Sequence, residues 1–212
     1  MSAFIFDLDG VLVDTARYHF QAWLAVAEKY GLDFDSTLNE ALKGVSRLRS
    51  FEIIVAHNRQ RIEDYNVADI LTEKNRLYLQ FIASINATEL LPGTIELLTA
   101  CKEKGIYICL GSASKNAKHI LAQTGILHYF DIIVDGNDVT RAKPDPEVFI
   151  KSSQQLGINN EECTVFEDSV AGIQAAKTAN MKTVGIGDKH ILTLADITIP
   201  DLRHFDFQML HD

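Results

Sequence analysis

Cysteine is scarce in this chain. Cys101, Cys109 and Cys163 stand far apart, with no C-x-x-C pair among them. An odd, dispersed set excludes a disulfide framework and a thiolate zinc site, so each thiol is expected to behave as a small buried hydrophobe in a reducing compartment. Long apolar runs are missing too: no stretch reaches the ~18 residues that a membrane-spanning helix needs. Residues 1–6 lead straight into an acidic motif, without a basic or extended apolar leader, and a cytoplasmic location is expected. Positive charge is in deficit. Twenty Lys and Arg face 29 Asp and Glu, a formal net charge of −9. That balance argues against a nucleic-acid or anionic-membrane binder, because such partners require a local cationic excess. Four prolines and 12 glycines in 212 residues are too few for a disordered or collagen-like chain.

What is there is an ordinary globular composition, 47% hydrophobic and 23% charged. At this length folding hides roughly 70% of the unfolded surface, enough for a sizeable core. Continuous apolar runs at 3–6, 107–110, 132–134, 164–166 and 183–186 are bounded by Asp, Gly or Ser, as in strands buried on both faces of a parallel sheet. Helix-like stretches separate them. Residues 93–104 follow Pro92 and stop at Gly105, 116–123 end near Gly125, 146–156 stop at Gly157, and 169–179 follow Asp168. The alternation predicts an α/β fold built on a doubly wound parallel sheet. From Thr15 to about Leu90 the periodicity is helical throughout. Phe20, Trp23, Leu24 and Ala27 share one face, Leu48, Phe51, Ile54 and Val55 a second, and Ile70 to Ile82 populate a third helix, a fourth being left open. An all-helical cap at 15–90 is therefore expected, inserted into a core of 1–14 and 91–212, with 86–93 as the return hinge.

The chemistry gathers where predicted strands end. Asp7-Leu8-Asp9-Gly10 follows the first run directly, placing two acids at the carboxyl edge of the sheet, where ligands of open α/β sheets collect. A calcium loop does not fit, because Val11 and Leu12 occupy positions that would need oxygen ligands. Glu167-Asp168 repeats the pattern after 164–166. Taken alone, Asp168 reads equally as a helix N-cap. Two acidic strand ends on one edge point instead to a hard cation, and magnesium takes one or two carboxylates with waters and a phosphate. Ser112 ends the second run and Lys143 follows the third. A hydroxyl, an ammonium and two acid pairs on one edge suit phosphoryl transfer through an attacking carboxylate. Asp135 and Asp138, which also follow a strand, read as turn residues.

These four positions in order, Asp7-x-Asp9, Ser112, Lys143 and Glu167-Asp168, resemble the haloacid-dehalogenase-like superfamily over the whole chain. The resemblance implies that Asp7 is the nucleophile and Asp9 the general acid/base, with Ser112 and Lys143 completing the catalytic set. It implies one Mg2+ per chain held by Asp7, the Asp9 backbone carbonyl, Asp168 and Glu167. Asp9, which must carry a proton when the leaving oxygen departs, is expected to have the higher pKa of the pair. Within the superfamily, Leu42-Lys-Gly-Val-Ser-Arg47, His19, Lys74-Asn75 and Ser112-Ala-Ser-Lys-Asn116 resemble the beta-phosphoglucomutase subfamily. That likeness implies interconversion of beta-D-glucose 1-phosphate and D-glucose 6-phosphate through glucose 1,6-bisphosphate, which also primes the enzyme. The alternative is a phosphatase of sugar phosphates or other small phosphate esters.

A mutase needs a second, non-reacting phosphate site. Arg47 offers a bidentate fork for it, and Ser114, Lys115 and Asn116 supply donors from the core. Gly44, Val45, Ser46 and Leu42 would contact the sugar, with Trp23 beside them. His19, Lys74 and Thr15 are candidate cap groups, and Thr15 or His19 would orient Asp9 on closure. The expected partner is a small sugar phosphate, and the chain is expected to act as a monomer.

Overall fold

Ala3-Phe-Ile-Phe6 is apolar at every position and becomes β1 (Ala3–Phe6), buried along its whole length at the centre of the sheet. The computed structural model of the chain describes residues 2–210. Five further strands follow: β2 (Tyr107–Gly111), β3 (Ile132–Val134), β4 (Cys163–Glu167), β5 (Lys182–Ile186) and β6 (Ile197–Ile199). Their order is β3-β2-β1-β4-β5-β6, and every pairing is parallel. The order reverses at β1, so the β1 carboxyl end lies at a topological switch point. β6 was not among the expected strands, since three residues between turn-forming neighbours carry too little periodicity to be seen.

Between β1 and β2 the chain forms α1 (Ala16–Tyr30), α2 (Ser36–Glu40), α3 (Arg47–His57) and α4 (Val67–Phe81) before α5 (Thr94–Glu103) returns to the sheet. Local chemistry sets the boundaries. Asp35, Ser46 and Asn66 accept from Leu38 N, Arg49 N and Asp69 N at the starts of α2, α3 and α4. The inserted helices have a core of their own, including Trp23, Val26, Phe51, Ile54 and Ile70, distinct from the clusters on the two sheet faces. The stretch 70–82, read as a third helix with a fourth left open, lies in one 15-residue α4 and a short 3-10 turn after it. In α1 the buried residues are Ala22, Trp23, Val26 and Ala27, while Phe20 packs at the margin against Phe34, ring centroids 5.6 Å apart. The two connecting segments run side by side, Val13 bridging Leu90.

On the sheet, α6 (Ala117–Gln123), α7 (Glu147–Leu156) and α8 (Val170–Thr178) complete the layers. Among the described residues no helix is long and apolar enough to cross a membrane. The three cysteines are buried and free.

Candidate active site

Phe6 and Phe166 stand opposite each other in the β1–β4 register, and their rings stack at 4.6 Å. The next residues out of that stack are the acids. Asp7 N donates to Phe166 O at 2.9 Å, which locks the β1 end beside Glu167. Gly10 then turns with φ +82°, and a Cβ there would lie 2.2 Å from Asp168 Oδ2. Only glycine suits both the backbone and the space. Lys143 reaches in from the loop between β3 and α7, its side chain fully buried, and donates to Asp7 Oδ1 at 2.5 Å and Glu167 Oε2 at 2.8 Å. The other Glu167 oxygen accepts from the Ser169 amide at 3.1 Å and its hydroxyl at 2.6 Å.

Ser169, not Asp168, caps α8, accepting from Gly172 N at 3.0 Å. The N-cap alternative for Asp168 is therefore set aside. Its carboxylate makes no hydrogen bond among the described residues and faces the cleft. Oxygens of Asp7, Glu167 and Asp168 lie within 4.8 Å of one another. Burial pushes the Asp7 carboxyl up, and Glu167 and Asp9 add to this against the pull of Lys143. Burial, then Glu167 and Asp7, push Asp168 well up, with Lys43 opposing. Burial works against the Lys143 ammonium, but Asp7 and Glu167 outweigh it and keep it charged. Three crowded carboxylates facing one ammonium leave negative charge in excess. An all-oxygen set of that kind fits a hard divalent cation such as Mg2+. Asp7 and Asp168 have uncommitted oxygens and fit as ligands, whereas both Glu167 oxygens are already engaged.

The Asp9 side chain is not in this cluster. It accepts a short hydrogen bond from the Thr15 hydroxyl and stands 3.6 Å from His19 Nε2. The other ring nitrogen of His19 meets Lys74 Nζ at 2.7 Å, and the ring stacks on Tyr78 at 4.1 Å. Burial would raise the Asp9 carboxyl, but the His19 hydrogen bond and charge, Thr15 and Lys74 together bring it below its ordinary value. In this arrangement burial raises Asp7, while the cap supplies Asp9 with donors that the sequence does not place in space and lowers it. The expected order, Asp9 above Asp7, refers to an Asp7 carboxylate held by the cation.

A cavity of about 370 Å3 opens above these groups, within the roughly 300–1,000 Å3 of small-ligand pockets. Asp7, Asp9 and Asp168 form its floor; His19, Trp23, Leu42, Gly44, Val45, Ser46, Arg47 and Lys74 line it from the helical insertion; Ser114, Lys115 and Asn116 line it from the sheet. Thr15, Ser112, Lys143 and Glu167 are buried behind that wall. Ser112 makes no bond to the acids, and its hydroxyl accepts from Ser114 N at 3.1 Å, bracing the loop. Arg47 donates to Asn75 Oδ1 at 2.8 Å and Leu71 O at 3.3 Å. Trp23 is 2% exposed and stacks on Phe51, so packing is its main contact. Asp135 and Asp138 accept from neighbouring turn groups, as read from the sequence. Among the wall or support residues that went unread are Lys43, Tyr78 and Ser169. Lys43 is flanked by the singled-out Leu42 and Gly44, and Tyr78 lies one turn beyond Lys74, so helical spacing was the available signal for the latter.

The model of the haloacid dehalogenase-like hydrolases matches residues 1–180. The chain belongs to this family. It is 38% identical to the beta-phosphoglucomutase of Bacillus subtilis (strain 168) over 214 residues, covering 100% of this chain and 95% of that protein. It is also 34% identical to the fructose-1-phosphate phosphatase YqaB of Escherichia coli (strain K12), covering 86% of this chain and 94% of that one. The crystal structure of beta-phosphoglucomutase from Clostridium difficile superposes with a TM-score of 0.94 at 38% identity, covering 100% of this chain and 96% of that one. As a haloacid dehalogenase-like protein the chain is an enzyme of phosphoryl transfer, a family that uses Mg2+. The insertion between β1 and α5 is helical among the described residues.

Proposed function

We infer that this enzyme interconverts beta-D-glucose 1-phosphate and D-glucose 6-phosphate through a phosphorylated Asp7, with glucose 1,6-bisphosphate as primer and intermediate. The observation that carries this reading is the two-ended cleft. The Asp7 end holds the acid cluster. Arg47 and Asn116, drawn together on one Asn75 oxygen, present donors to a second anion at the other end. An enzyme that only hydrolyses one phosphate has little use for that second end. The likeness to the B. subtilis mutase supports the same choice.

The residues divide the work as follows. Lys143 fixes one Asp7 oxygen, leaving the other to attack phosphorus of the bisphosphate. The P–O bond to the sugar breaks as the acyl-phosphate bond to Asp7 forms, and Asp9 delivers a proton to the departing sugar oxygen. In the return half, a hydroxyl of the bound sugar monophosphate attacks phosphorus, Asp9 takes its proton, and Asp7 leaves as carboxylate. Thr15 and His19 hold Asp9 anionic in the closed arrangement, which suits this second, base-like half. Mg2+ at Asp7 and Asp168 would supply positive charge for the phosphoryl oxygens. The bisphosphate formed in the return half turns over before it donates its other phosphate to Asp7, its idle phosphate resting against Arg47, Ser114, Lys115 and Asn116. The cap bounds the cleft and keeps water from the acyl phosphate. The proposed cap limits, 15–90, fall beside the Val13–Leu90 bridge.

A second reading has one observation behind it: the likeness to the E. coli sugar-phosphate phosphatase. Incubation with beta-glucose 1-phosphate, Mg2+ and glucose 1,6-bisphosphate separates the two. Glucose 6-phosphate accumulating well ahead of inorganic phosphate supports the mutase. Phosphate release without isomerisation, with or without primer, establishes the phosphatase.

A further inference from the structure

Arg47 and Asn116 meet on a side chain that touches no reacting group. From α4, Leu71, Lys74 and Tyr78 line the cleft, while Asn75 stands just behind the wall. Its Oδ1 accepts from Arg47 Nη2 at 2.8 Å and from Asn116 Nδ2 at 3.1 Å. A guanidinium can only donate, so the Asn75 atom facing it is the oxygen. Arg47 starts α3, Asn75 belongs to α4, and Asn116 directly precedes α6 on the sheet. One carbonyl oxygen therefore joins two cap helices to the core across the mouth of the cleft.

We propose that Asn75 is a positioning residue that sets preference for sugars bearing a second phosphate: it holds Arg47 and Asn116 at a spacing ready for one anion, and only while the cap lies on the core. This rests on the distal-phosphate reading above. A free arginine side chain is flexible, and tying its fork down beforehand removes ordering cost from binding. The Leu71 carbonyl takes the other terminal nitrogen, so the guanidinium plane is fixed at two points. Losing the Asn75 oxygen releases one of these and leaves the Asn116 amide without its partner across the cleft.

The test compares Asn75→Ala with the parent, both Mg2+-loaded, on two substrates. One is glucose 1,6-bisphosphate, which reaches both ends. The other is p-nitrophenyl phosphate, which has one phosphate and engages only the Asp7 end. Loss of a charge-assisted hydrogen bond predicts a KM for the bisphosphate raised roughly tenfold, with kcat and the p-nitrophenyl phosphate kinetics kept within about twofold. An equal loss on both substrates, a fall confined to kcat, or no change on the bisphosphate would each overturn the proposal. Asn75→Ser, which also withdraws the long acceptor, repeats the comparison should the alanine variant not fold. The comparison needs only turnover of the bisphosphate, by transfer or by hydrolysis. Failure of the parent to isomerise beta-glucose 1-phosphate would therefore remove the mutase reading without deciding the role of Asn75.

Discussion

Lys74 sits where the cap controls a proton. Burial first, then the Arg47 charge, bring its pKa down to about 7 against the pull of Asp9, from an ordinary lysine value near 10.4. Between those two values the unfolded chain binds the proton and the folded one does not, so this group's contribution to stability rises with pH across the window. Below it the folded state carries the full cost of a buried ammonium. Lys74→Met is expected to raise the melting temperature over the parent by several degrees at pH 6 and by clearly less at pH 9.5, while slowing turnover through loss of the His19 partner; thermal scans at both values check it. Asp7→Asn is expected to abolish turnover with the melting transition preserved, because an amide neither attacks phosphorus nor changes the side-chain shape. Measurable turnover in a folded Asp7→Asn variant would remove the nucleophile from the account. At this scale the sequence was informative about identity and weak about direction. Asp7, Lys143, Glu167 and Asp168 converge because each follows a strand end. That Asp9 turns away to Thr15 and His19 depends on where α1 lands, which no local pattern encodes.

Elements bring those residues into register. The strands β1 to β5 were legible because a parallel sheet covered on both faces needs continuous apolar runs. Ser169 takes the place of Asp168 as the cap of α8, its hydroxyl also reaching Glu167 two residues back while Asp168 lines the cleft. The Phe6–Phe166 stack aligns β1 with β4 directly beneath the acids. Phe166 is fully buried, so Phe166→Ala is expected to cost about 3–5 kcal/mol of stability, read from denaturant unfolding, and to lower activity beyond the loss of folded protein. The loop between α2 and α3 meets the start of α8 at Gly44. Gly44 has φ +72°, and a Cβ there would lie 2.1 Å from Ser169 Oγ. A side chain at this position holds the cap off the core. Gly44→Ala is expected to raise the ratio of inorganic phosphate released to glucose 6-phosphate formed. A ratio equal to the parent's would show that this contact does not govern closure.

Across the whole molecule, an acidic surface surrounds a cleft whose walls carry Lys43, Arg47, Lys74 and Lys115. The net charge of −9 therefore disfavours extended polyanions while the cavity remains attractive to a small phosphorylated sugar. Chain topology was readable because one strand, a helical block and then a regular βα alternation has few solutions. The closed seating of the insertion was not, since contacts such as Gly44 on Ser169 and Asn75 on Asn116 join residues distant in sequence. The central claim is covalent: Asp7 carries the phosphoryl group between the two halves of the reaction. The direct measurement is to mix the Mg2+-loaded enzyme with glucose 1,6-bisphosphate, quench rapidly in acid and weigh the peptide that contains Asp7. One phosphoryl mass on that peptide, located at Asp7 and discharged by added beta-glucose 1-phosphate, is the predicted result. An unmodified Asp7 peptide while bisphosphate is being turned over, or the phosphoryl mass on another residue, would contradict the account.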